Sequence, residues 1–373
     1  MRVKVIWPLK FVYNMSEGRA AGVLVAMRDQ WASMTGMAFM FVSTILIGLS
    51  VQPIYNIPEA RAFGEEGASK GAFVALELFM IGIFTIVIIW LARRGLEFFI
   101  KAIVLFALWM SLFYALQPYV ALMLYFLDLD TLANVAILSV AISIGSIYLL
   151  HRFPEWYVVN GVGIMVGAGV ITLIGVSFVP VLIIGFMIAA AIYDYWAVNG
   201  SKHMLELADT MIGLKLPVLL VAPKNANYSF IDEDDSVMMD KEIESSSMDW
   251  EDPVPHIKNE GGDTKGRDAL FMGLGDIIFP GMLVISSVSF LPQTGGEVTY
   301  FSAFGVMYAD SLTVAMGTLL GGLVGYFALM TQVARGKPQA GLPLLNGGSI
   351  LGYLISGYFA LGMSNLWQDI TFF

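Results

Sequence analysis

The chain has 373 residues, 57% of them hydrophobic and 13% charged, with a mean hydropathy of +0.74. Soluble domains carry about 25% charged residues, so the composition excludes an ordinary soluble enzyme and marks an all-α integral membrane protein. The net charge of −10 does not indicate a nucleic-acid partner, because the acidic residues crowd into one loop and there is no basic stripe. Cysteine is absent, which excludes disulfides, thiolate nucleophiles and cysteine metal sites together. The first 30 residues hold no short apolar run before a cleavage site, so no secretory signal is expected.

Apolar runs long enough to span a bilayer (about 20 residues each) fall near 31–52, 72–92, 99–126, 131–150, 156–176, 179–199, 268–291, 303–330 and 341–363. These predict nine transmembrane helices. Pro118 lies in the long third run, where a kink or break is expected. The runs are continuous rather than alternating, which excludes a β-barrel. With the N-terminus in the cytoplasm, 18 of the 20 lysines and arginines fall on the inner side, leaving only Arg61 and Lys70 outside. Discounting the seven in the long loop after helix six still leaves 11 against 2, so the expected orientation is N-inside and C-outside.

The helices divide as six plus three: residues 1–199 carry the first six and residues 267–373 the last three. Between them, 200–221 reads as an inner-side amphipathic helix with Met204, Leu207, Met211 and Leu214 on one face, followed by a short apolar segment. Residues 222–266 contain DEDD, SSS and few large apolar side chains, the composition of a disordered linker. A regulatory or cleavable loop is the other reading. Glycines recur every four positions at Gly317, Gly321 and Gly325, and at Gly163 and Gly167, which predicts close helix packing.

Two carboxylates stand inside apolar runs, Asp194 on helix six and Asp276 on helix seven. A charge at such a position costs roughly 2.5–3.5 kcal/mol on insertion scales, so these residues mark function. The two helices run antiparallel. At 1.5 Å per residue, Asp194 lies roughly 8 Å and Asp276 roughly 13 Å from the inner end, comparable depths that would let the two meet. Two carboxyl groups in one low-dielectric site can share a single proton. Such a pair suits peptide hydrolysis, with one member taking a proton from water and the other polarising the carbonyl. It equally suits an ion-coupled transporter or cation leak channel. Position alone leaves both open.

The flanking residues separate them. Asp194 follows Tyr193 in a YD pair, Asp276 closes the GLGD of Gly273, Leu274 and Gly275, and the ninth run opens with a Pro-Leu-Leu triplet at Pro343, Leu344 and Leu345. This set, in order on helices six, seven and nine, resembles the presenilin and signal peptide peptidase family of intramembrane aspartyl proteases. The short N-terminus and lack of cysteine look most like an archaeal presenilin homologue. The resemblance implies that Asp194 and Asp276 are the catalytic dyad and that Pro343–Leu345 help receive the substrate. It also implies that no cofactor is needed. The expected partners are lipid and single-span substrates with their N-termini outside, accessory subunits are not required, and the location is the cell membrane of an archaeon. Leu344 departs from the family's usual alanine, which bears on the shape of the substrate groove.

Physically, Gly273 and Gly275 remove side chains beside Asp276, and Pro343 withholds a backbone N–H and resists helical continuation. Glu77 on helix two has two readings, a gate to substrate entry or, as is more common, a bond to a neighbouring helix. His151, His203 and His256 form no HExxH and none lies mid-span, so zinc and rhomboid-type serine chemistry are not supported. Asp310 and Glu297 are expected at the outer edge of helix eight, and Lys101 is expected to snorkel to the inner surface.

Overall fold

The structure is a computed structural model, and it describes residues 30–197, 219–224, 228–229, 269–299, 302, 304–333 and 340–371. Among these residues there are nine long helices. They are α1 (Trp31–Tyr55), α2 (Gly71–Arg93), α3 (Glu97–Tyr125), α4 (Leu132–Arg152), α5 (Trp156–Gly175) and α6 (Pro180–Trp196), then α7 (Leu274–Phe290), α8 (Ala309–Val333) and α9 (Leu342–Ala360). Pro118 sits inside α3 without ending it. The amphipathic helix expected over 200–218 and nearly all of the acidic loop lie outside the described residues.

One expectation is corrected. The seventh apolar run does not enter a helix at 268. Ala269–Gly273 forms a strand, β2, paired antiparallel with β1 (Leu219–Pro223), and α7 starts only at Leu274. The short apolar segment after helix six is β1. An apolar run contiguous with a helix cannot be assigned by periodicity alone, and here pairing with a distant strand decides it. Asn160 on α5 completes the sheet: its Nδ2 donates to the Val221 carbonyl at 2.7 Å, and the Val221 N–H donates to its Oδ1 at 2.8 Å. A side-chain amide thus pairs the central residue of β1 on the edge away from β2, as a third strand would.

Helix α7 is the axis of the bundle. Every residue from Pro280 to Ser289 is buried, and α7 packs against α1, α5, α6, α8 and α9. Close approach depends on glycine. A Cβ at Gly281 would meet Ile171 at 2.6 Å, and one at Gly175 would meet Ile285 at 2.5 Å. Several polar side chains buried around the axis find partners on neighbouring helices and loops, which satisfies groups that lipid cannot. Ser286 donates to the Phe178 carbonyl (2.7 Å), Gln52 to Ser289 Oγ (2.9 Å), and Tyr326 to the Met34 carbonyl (2.8 Å).

The glycine stripe of α8 faces a second one on α9. Cβ atoms at Gly321 and Gly325 would run into the carbonyl oxygens of Gly348 and Leu344, and those at Gly348 and Gly352 into the carbonyls of Gly321 and Gly317. The two backbones touch directly, the arrangement small-residue repeats allow. At the end of the bundle where α8 begins, a two-residue hairpin pairs β3 (Glu297–Val298) with β4 (Met307–Tyr308). There Asp310, in the first turn of α8, accepts from the Thr294 hydroxyl at 2.7 Å.

Gly321→Ala should therefore lower stability by about 1–3 kcal/mol, the usual cost of overpacking. Gly82→Ala and Gly145→Ala, where a Cβ meets nothing within 4 Å, should be neutral or slightly stabilising. Thermal unfolding in mild detergent reads all three, and a Gly321→Ala protein that melts with the other two would show slack between α8 and α9.

Candidate functional site

Three helix ends converge at one end of the bundle. Asp194 lies in the last turn of α6, Asp276 in the first turn of α7, and Gly341 caps the start of α9. The depth assigned to Asp276 from helical rise does not apply, because the residues before Leu274 are extended. Helices α6 and α7 have 17 residues each, about 25 Å of rise against a hydrocarbon thickness near 30 Å.

Asp194 is 7% exposed. Its Oδ2 accepts the Leu342 N–H at 3.2 Å, and the Gly341 N–H also reaches the carboxylate. These are the unsatisfied donors of the α9 N-terminus, where an anion is stabilised by N–H groups and by the helix dipole. Asp276 is half-buried and accepts the N–H of Gly273, the N-cap of its own helix. An acidic side chain three residues into a helix reaching back to the cap is half of a capping box. The carboxylates of Asp194 and Asp276 interact electrostatically.

The peptide joining Gly341 and Leu342 lies between them. While Leu342 N–H is spent on Asp194, a Cβ on Gly341 would stand 3.1 and 3.2 Å from the two carboxylate oxygens of Asp276. Glycine is required there for space, since its φ of −78° is open to any residue. Asn346, one turn on, donates from Nδ2 to the Met187 carbonyl of α6 at 2.9 Å, which fixes α9 against the helix that carries Asp194. Sequence reasoning did not single out Gly341, Leu342 or Asn346. The one legible signal was a glycine directly before a helix-opening Leu-Pro.

The remaining expected site residues divide into anchors and open positions. Leu274 is buried, packing where a Cβ on Gly167 would meet it at 3.1 Å, and Leu345 is fully buried in the main core. Gly275 is exposed, with nothing within 4 Å of its Cβ position, so the flank of Asp276 is open on that side. Gly273 lies 3.6 Å from Asp276 by the same measure. Pro343 falls in the first turn of α9, where its missing N–H costs no helical bond. It starts a helix rather than interrupting one. Leu344 is half-buried, and Tyr193 is 39% exposed, its hydroxyl hydrogen-bonded to Thr85 of α2 and within electrostatic reach of Asp194.

Comparison with known proteins identifies the family. Residues 37–362 match the model of the family described as signal-peptide peptidase, presenilin aspartyl protease. Two solved structures of a presenilin family intramembrane aspartate protease, in C222 and P2 space groups, each match with 26% identity and a TM-score of 0.54. Each comparison covers 89% of this chain and 100% of the other. No curated protein matches. A chain matched over most of its length, with nine helices in the same fold, belongs to the presenilin and signal peptide peptidase family of intramembrane aspartyl proteases.

Proposed function

We propose that Asp194 and Asp276 are the proton-sharing dyad by which this membrane protease hydrolyses peptide bonds within transmembrane segments. The observation that carries the reading is their convergence on the Gly341–Leu342 peptide at the start of α9. The ionised carboxylate takes a proton from water as the water oxygen bonds to the carbonyl carbon. The protonated one gives its hydrogen to the carbonyl oxygen, and the pair returns a proton to the amine as the C–N bond breaks. The residues needed are all side chains and backbone of this chain, and the step calls for no cofactor.

Substrate positioning follows from which residues are open. A transmembrane peptide must unwind locally, and an extended backbone reaches Asp276 past exposed Gly275. Gly273 leaves that approach narrow in side chains. Leu274 and Leu345, both buried, fix the starts of α7 and α9. Pro343 and Leu344 form the partly open wall on the α9 side, and Tyr193 ties the α6 end toward α2. Leu344 makes that wall bulkier than the family's usual alanine would. The basic-residue count supports an N-inside orientation, and with it single-span substrates whose N-termini lie outside, cut without accessory subunits.

Cleavage of such a substrate in liposomes should fall by at least about a hundredfold in Asp194→Asn and in Asp276→Asn, the span of general acid–base catalysis. If the wild type cuts nothing while an ion flux depends on both carboxylates, an ion-coupled transporter is the correct reading instead. Gly341→Ala should lower kcat roughly tenfold or more with an unchanged melting temperature, because small displacements at the reacting groups are costly. Full turnover in that variant would remove Gly341 from the site. Pro343→Ala should reduce cleavage in a folded protein, and an unaltered rate would mean that the proline only starts the helix.

A further inference from the structure

Away from the paired carboxylates, α3 and α4 enclose a groove of about 450 Å³. Leu105 and Trp109 of α3 and Ile144 and Ile147 of α4 line its length, and Lys101 and His151 stand at one end. From Lys101 to Trp109 the helix rises about 12 Å, most of one leaflet of a hydrocarbon core roughly 30 Å thick. The volume is that of a small-molecule site. Lys101 and His151 form no ion pair or hydrogen bond among the described residues. The helix ends on this side of the chain, the last turns of α2 and α4 and the first turns of α3 and α5 with their flanking residues, carry Arg93, Arg94, Lys101, His151 and Arg152 against Glu97 and Glu155.

A groove apolar along its length and basic at its mouth fits an amphiphile with one negative end. A protein helix would need small residues to approach closely, whereas these walls are branched and aromatic. A free anion would leave the apolar length uncovered. We propose that the groove binds one anionic phospholipid, its phosphate against Lys101 and His151 and a hydrocarbon tail along Leu105, Ile144 and Trp109. Because α4 packs chiefly on α3, the tail would also fasten α4 to the bundle.

The test uses the full chain in nanodiscs containing phosphatidylglycerol or phosphatidylcholine with dibrominated acyl chains. Quenching of Trp109 is taken as the difference between wild type and Trp109→Phe. Phosphatidylglycerol should half-quench Trp109 at a mole fraction about fivefold below phosphatidylcholine, the size expected of one lysine at an anionic headgroup. Lys101→Gln with His151→Gln should erase that preference. Ile144→Phe, which fills the groove from a half-exposed position without adding a second indole, should protect Trp109 from both lipids at an unchanged melting temperature. Equal quenching by the two lipids in the wild type, or a preference that survives the double substitution, would overturn the proposal.

Discussion

Inside a bilayer lipid offers a carboxylate no donors, so the protein and any water it admits must bring them. The first N–H groups of α9 have no partner within their own helix, and the Leu342 N–H finds Asp194. One contact thus answers two demands, an orphan helix terminus and a desolvated acid. Much of the surrounding architecture keeps that terminus in place. Asn346 fastens α9 to α6, and the glycine seam lays α9 directly on α8. The core position of Leu345 stops the first turn of α9 from rolling away.

The same economy governs α7. Its start must present Asp276 beside Gly341 while its body is enclosed on nearly every side. Gly273 ends a strand and caps the helix at once, giving its N–H to Asp276. Leu274 then turns inward and Gly275 outward. The two glycines of GLGD therefore have unlike tasks, one at a strand-to-helix junction and one at an open flank.

Most of the helical plan was legible because spanning runs announce themselves by length and hydropathy. The starts of seven of the nine helices fall within two residues of the expected positions; α7 and α8 start at Leu274 and Ala309, each six residues after its run opens. The acidic pair was legible for the complementary reason, that charge stands out in an apolar run. The strand Ala269–Gly273 was not, since its partner lies some fifty residues away and five apolar residues before a helix look like more helix. Pro343 was expected to resist helical continuation and instead opens a helix, because proline is tolerated in the first turn. Gly341 was hidden among 38 glycines. What distinguishes it is a distance to Asp276 that exists only after three helix ends have met.

The pairing of Leu219–Pro223 with Ala269–Gly273 has a consequence for the integrity of the molecule. The strands close off the acidic stretch as a loop whose two ends are already hydrogen-bonded to each other and clamped to α5 by Asn160. A peptide bond cut within that stretch would sever the chain without separating its parts. The six-helix and three-helix fragments would stay joined by the sheet and by the enclosure of α7, and both carboxylates would keep their places. What holds helices six and seven in one molecule is then the sheet and the packing of α7, whether or not the polypeptide runs unbroken between them.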